Sequence, residues 1–180
     1  MDIRELLQIP ESVESLDQVD RPLHERVQRV LDDNPSVARI LRGDWLGHPV
    51  HPLAVTTPVG AWTAAVALEV FLRDHRAARR LIRLGLACVP FAVVTGWTDW
   101  AGRDETERRA GLVHAAGNTA ASLAMLASLH QRKRDHQLRG KAWSLVGLTA
   151  AAASGALGGH IAYGRTDTGS PQNAVLVASH

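Results

Sequence analysis

The sequence predicts an all-α protein: a four-helix transmembrane bundle with a short N-terminal amphipathic helical segment. Three observations predict it. Four runs contain no Asp, Glu, Lys or Arg: residues 50–68, 84–98, 110–129 and 142–164. The first, third and fourth reach or approach the ~20 apolar residues that cross a hydrocarbon layer of about 30 Å, and the second is shorter. The runs are rich in Ala, Gly, Ser and Thr, which suit close helix packing in lipid. Gly147, Ala151, Gly155 and Gly159 recur every four residues along one expected face of the fourth. A soluble bundle would carry a charged outer face on each helix, and these runs have none.

Residues 1–46 form the expected soluble or amphipathic helical segment. They are acidic overall, whereas the remainder is basic. "DRPLHERVQRVLDDNP" predicts a helix beginning at Asp20 or Arg21 ahead of Pro22, with Leu23, Val27, Val30 and Leu31 as its apolar stripe. Asn34 is placed to cap a second short helix from Pro35, with Val37, Ile40 and Leu41 on one side. Two amphipathic helices ahead of a span are expected to lie on the membrane surface or on the loops. The alternative is a docking surface for a partner protein.

Residues 47–165 form the expected four-span membrane domain, and 166–180 a flexible tail. "RDHRAARR" and "QRKRDHQLRGK" join spans one to two and three to four, and both are basic. Basic short loops stay cytoplasmic, so both termini are expected to be extracytoplasmic in a multi-pass cell-membrane protein. "DWAGRDETERR", between spans two and three, balances its charges. Trp45, Trp97, Trp100 and Tyr163 would then mark one membrane interface and Trp143 the other, with Trp62 in the packing and Glu69 at the inner interface. The N-terminus lacks the apolar core of a cleavable signal peptide.

The net charge of +2 gives no nucleic-acid signal. The single cysteine, Cys88, rules out an internal disulfide and a cysteine-ligated zinc or iron–sulfur site. No serine has a neighbouring base, and no phosphate-cradling glycine loop precedes a helix. The composition therefore points to a binding or electron-transfer component more than to a stand-alone enzyme.

The chemistry is expected in the histidines. Five of the nine, His24, His75, His130, His136 and His180, fall in charged or terminal segments and read as solvated. His48 and His51, in "GHPVHP", stand just before span one. His114 lies one turn inside span three, and His160 one turn before the end of span four. With the orientation above, all four share one membrane face at similar depth, which suggests a haem or metal site. Ionisable residues within spans are functional candidates because lipid penalises them. Proline disfavours helical geometry at the residue before it, so His48 and His51 are expected to be extended and aimed back over the bundle. Pro58 and Pro90 would kink spans one and two. Asn118 and Ser122 continue a polar stripe from His114, and Asp99 is a candidate to orient an imidazole. Arg103, Arg108, Arg109 and Arg165 could pair with haem propionates.

The block "GDWLGHPVHPLAVTTPVGAWTAAVALEV", with "TGWTDW", "RRAGLVHAAGN" and "LGGHIAYG", resembles a bacterial family of unknown function. Its members are small four-span membrane proteins with a His-Pro-x-His-Pro signature followed by P-x-G-x-W. The resemblance covers roughly residues 42–165. Members often occur fused or adjacent to Rieske-type iron–sulfur domains, which implies membrane redox work. Here the chain after Tyr163 carries no paired Cys-His motifs, so a Rieske-type partner would be another chain.

The expected function is an outward-facing haem b in electron transfer, with His114 and His160 as the first axial pair and His51, then His48, as substitutes. The first alternative is a non-haem copper, iron or zinc ion held by three or four imidazoles. The second is a structural or partner-docking membrane protein without a cofactor, its histidines only hydrogen-bonding across helices. The bilayer, a redox protein and further copies of the chain in a homo-oligomer are the candidate partners.

Overall fold

The computed structural model describes residues 3–163, and within them only helices and turns are present. The expected tail, 166–180, and Arg165 lie outside the described residues, as does the side chain of Tyr163. The elements are α1 (Ile3–Gln8), two 3-10 turns (Ile9–Ser12 and Glu14–Leu16), α2 (Asp17–Asp33) and α3 (Pro35–Arg42). The long helices follow: α4 (His51–Phe71), α5 (His75–Ala101), α6 (Glu105–Lys133) and α7 (Gln137–Tyr163). These four are long and apolar enough to cross a membrane.

Each apolar run corresponds to one long helix, and α5 to α7 begin well before their runs. The reason is local. Asp74 accepts from the backbone N–H groups of Arg76 and Ala77 at 3.1 and 2.9 Å, so α5 starts two charged turns before its apolar run. Asp104 accepts from Glu107 N at 2.9 Å and starts α6 in the same way. These side chains satisfy N–H groups that a helix start leaves unpaired. The capped start adds charged turns ahead of the apolar run, so a 15-residue run sits in a 27-residue helix.

The bundle consists of two antiparallel hairpins, α4–α5 and α6–α7. Residues 102–104 join them, at the same end as the N-terminal segment. We call this the capped end, and the end with the turns 72–74 and 134–136 the bare end. Trp62, Ala65, Ala78, Ile82, Ala121, Met125 and Ala151 form the central core. Small residues let the helices close. A Cβ on Gly85 would lie 2.3 Å from Trp62 Nε1, and one on Gly147 would lie 3.1 Å from Met125 Cε. The expected glycine face of α7 is only half realised: Gly147 and Ala151 are buried, while Gly155 is exposed with open space beside it. Four residues turn a 3.6-residue helix slightly too far, so the stripe walks off the contact, and Ser154, Leu157 and Gly158 take over the inner face.

The N-terminal segment packs on the α5–α6 corner. Leu31 and Ala38 are buried with Trp100 and Ala101, and Leu23, Val27, Trp97 and Leu112 pack around them. Trp100 is 6% exposed and rests on Gly111, so it belongs to this seam rather than to an interfacial belt. Trp45 and Trp143 remain exposed, and Trp62 is in the core. Helix α2 begins at Asp17, three residues before the predicted start, with Pro22 inside it. Arginines hold that first turn: Arg108 donates to Asp20 at 2.8–3.1 Å, and Arg109 donates to Asp17 at 2.6 and 2.8 Å and to Glu11 O at 3.1 Å. Asp20 is wholly buried. Of the two predicted stripes, Val30, Val37 and Ile40 point away from the protein, and α3 buries Ala38 instead. Asn34 occupies the predicted cap position, but its side chain donates back to Val30 O at 3.0 Å.

These ion pairs make the segment's attachment pH-dependent. The hydrogen bond from Arg109 holds the Asp17 carboxyl below its ordinary value, against the opposing effect of burial. A depressed folded-state value means stability that is present above about pH 4 and lost as pH falls through it. Limited proteolysis should therefore cut the first 46 residues slowly at neutral pH and faster in acid, and Arg109→Gln should bring the fast cut to neutral pH. Equal cutting of both proteins at pH 7 would show that the pair does not hold the segment.

Candidate functional site

The stretch "GHPVHP" divides its two imidazoles. Gly43 ends α3 at φ +87°, and a Cβ there would lie 2.1 Å from His48 O, so only glycine lets the turn fold back. His48 follows, exposed, its Nδ1 3.3 Å from Pro49 O. His51 is the first residue of α4 rather than part of an extended lead-in. Pro52 suits the first helical turn, and the first α4 hydrogen bond, Ala54 N to Val50 O at 2.9 Å, closes around His51. The preference of a residue before proline is outweighed there, and the ring turns inward.

Inside the bundle His51 meets His114, with ring centroids 6.1 Å apart and planes at 86°. Each ring crosses to the other helix of its own hairpin. His51 Nδ1 donates to Ala92 O at 2.9 Å, and His114 Nδ1 donates to Ser154 O at 2.7 Å. Each ring also lies on a glycine: a Cβ on Gly96 would be 2.9 Å from His51 Cε1, and one on Gly158 2.6 Å from His114 Cε1. Thr95 turns its hydroxyl to Phe91 O and Ala92 O, both at 3.0 Å, beside His51 Nδ1. The carbonyl contacts fix the tautomer: Nδ1 carries the proton and Nε2 the lone pair on both rings. Asn118 donates to His114 Nε2 at 2.9 Å. His51 Nε2 has no hydrogen bond among the described residues.

The other candidates stand apart from this pair. His160 Nε2 donates to Glu11 Oε1 at 3.2 Å, tying α7 to the N-terminal segment. Asp99 is half-buried and makes no hydrogen bond to an imidazole among the described residues. Arg108 and Arg109 hold Asp20 and Asp17, and Arg103 donates to Ile161 O at 3.4 Å. No group of three or more His, Cys, Asp or Glu among the described residues is placed to hold a metal ion.

A second polar cluster lies at the bare end. Glu69, 3% exposed, takes two hydrogen bonds from Arg132, 1% exposed. Arg132 also donates to Ser128 and Ser144 at 3.0 Å each, and its stem lies on Gly140. His75 Nδ1 donates to Glu69 Oε1 at 2.9 Å. Sequence reading missed Arg132 because it lies past the third apolar run. It missed His24 as well, which stacks edge-on against Trp100 at 5.9 Å and donates to Ala101 O at 3.0 Å. Gly96 and Gly158 were legible as small residues but not as seats for imidazoles.

No curated protein and no solved structure matches the chain. A family profile does. It spans residues 47–167, and so takes in the GHPVHP stretch, both paired imidazoles and all four candidate spans. The chain belongs to the family described as predicted membrane protein (DUF2231).

Proposed function

We propose that the bundle would hold a haem b between its two hairpins through His51 and His114, in electron transfer with an extracytoplasmic redox protein. The observation that carries this is the paired tautomer. Both imidazoles donate Nδ1–H to a backbone carbonyl, which leaves the lone pair on Nε2, open in His51 among the described residues and met by Asn118 in His114; an Nδ1–H bond of this kind orients ligating histidines in general. The donor set fits haem better than a bare ion. A protein-bound zinc or copper ion takes three or four protein ligands, and the paired site offers two imidazoles. Haem iron takes four nitrogens from its porphyrin and only axial ligands from the protein. Asn118 would release His114 Nε2 on loading. When bound, the haem would supply one-electron chemistry. The protein's part is to hold both rings at fixed tautomer and orientation and to exclude water with the N-terminal segment.

The basic turns 72–74 and 134–136 with their flanking arginines support a cytoplasmic bare end. The capped end, with the N-terminal segment, the end of α7 and the histidine pair nearer to it, would then face a redox partner outside the cytoplasm, such as a Rieske-type protein. A copper, iron or zinc ion is the rival cofactor. The satisfied hydrogen bonds of His114 favour the other rival, in which the two rings only clamp the helices.

An absorption spectrum of detergent-purified protein, with metal analysis of the same sample, decides among them. The expected result is a Soret band that shifts on reduction and is lost in both His51→Ala and His114→Ala but kept in His160→Ala. Colourless protein with stoichiometric metal supports the bare ion. Colourless and metal-free protein after haem supplementation ends the cofactor reading and leaves the clamp.

A further inference from the structure

A shift of 62 or 63 positions lays the key contacts of one half of the membrane domain on those of the other. Glu69 and Arg132 stand 63 positions apart, and the same shift carries His51 onto His114 and Trp62 onto Met125. One position less carries Arg73 onto Asp135, and Gly85, Ala92 and Gly96 onto Gly147, Ser154 and Gly158. Equivalent residues make equivalent contacts. The imidazole of each half bonds the carbonyl four residues before a glycine and lies on that glycine. About three helical turns further on, Trp62 fills the notch at Gly85 and Met125 the notch at Gly147. The single-residue difference falls in the turns, whose residues Arg73 (φ 54°) and Asp135 (φ 60°) are the two non-glycine positive-φ positions among the described residues.

Helices α4 and α6 both run from the capped end, and α5 and α7 both return to it. The halves are thus related by rotation about an axis along the bundle, as in parallel membrane repeats. A long side chain near such an axis meets its own counterpart. This happens twice. At one level the counterparts are two histidines. At the other they are opposite charges, Glu69 and Arg132.

We propose that the four spans are a duplicated helical hairpin, and that the buried Glu69–Arg132 pair selects the pairing of unlike hairpins. Two first hairpins brought together across this axis would oppose two carboxylates. Two second hairpins would oppose two guanidiniums. Either leaves buried charge unpaired in lipid, where it is most costly. The imidazole level offers no such charge discrimination, since like and unlike pairings bring the same two rings together there. The halves have diverged at the charged level accordingly. Ser128 and Ser144 serve Arg132, and their counterparts Ala65 and Ile82 are apolar. Specificity of this kind rests on the rejected pairings as much as on the accepted one. It is independent of whether the histidine level binds a cofactor.

The test uses full-length chains carrying two different affinity tags. A Glu69→Arg chain has arginine at both axial positions, and an Arg132→Glu chain has glutamate at both. Each alone is expected to lose several-fold in monodisperse protein recovered in detergent. Co-expressed, the two should recover together as a complex held through both tags, because each supplies the charge the other lacks. A second variant, Glu69→Gln with Arg132→Gln, removes the discrimination without adding charge. It should raise the co-purification of differently tagged copies several-fold over the native chain. Either result supports the proposal. Absence of both, with no recovery in trans and native-level tag mixing in the neutral variant, overturns it.

Discussion

Arg132→Ala should lower the stability of the detergent-solubilised protein by about 3–5 kcal/mol, the usual cost of removing one partner from a buried ion pair. The large value follows from what is left behind. Glu69 is 3% exposed and would lose both guanidinium hydrogen bonds, retaining only His75, whose side chain is 39% exposed. Ser128 and Ser144 would lose their shared partner, although they keep Gly140 O and each other. The cavity left by a side chain lying on Gly140 adds to the loss. Thermal unfolding followed by tryptophan fluorescence reads the effect. Arg132→Ala combined with Glu69→Leu should recover much of the loss, since replacing a whole buried pair with apolar groups is often neutral. A single variant that melts with the native protein would show that water reaches the pair.

Gly85→Ala, a change of one methyl group, should destabilise by about 1–3 kcal/mol, the range for an overpacked core. The added Cβ would lie 2.3, 2.7 and 3.0 Å from three atoms of the Trp62 indole. A rigid ring cannot bend away as a flexible chain does. Trp62 is 3% exposed and packed among Ile82, Met125 and Ala151, so it has no empty place to enter. The α4–α5 hairpin must open instead, and its close approach is the main source of helix association in lipid. The matching change Gly147→Ala should cost less, because the nearest atoms, Ala121 O at 3.0 Å and Met125 Cε at 3.1 Å, lie farther off, and Met125 is unbranched and shifts easily. Paired melting curves check the order. Equal losses at the two sites would show that the ring's rigidity is not what matters.

The architecture was legible because the bilayer imposes it. A charge-free stretch near the thickness of the hydrocarbon layer has few other uses, and the four runs became four long helices. The ends were less legible. The helices run on through charged turns capped by Asp74 and Asp104, and hydropathy falls there while helicity continues. For the candidate site, depth was readable and azimuth was not. Counting rise along the helices put His51, His114 and His160 at one end, but whether a ring faces the axis depends on helix rotation. That rotation is set by notches such as Gly96 and Gly158 on the neighbouring helix. So His51 and His114 meet, His160 turns to Glu11 and His48 stays exposed. The arginines read as anion partners hold the protein's own aspartates, because the acidic first helices were not yet folded over them.

The order of synthesis gives the Glu69–Arg132 contact a consequence for biogenesis. Arginine 132 is made 63 residues after the acid it neutralises, a delay of about 3–13 s at ordinary elongation rates. Through that interval the Glu69 carboxyl lacks the guanidinium that meets it in the finished protein. His75, the first residue of α5 and six positions after Glu69, is the hydrogen-bond partner already made. The first hairpin thus carries one partner for the acid from the start, and the two guanidinium hydrogen bonds come only with the third span.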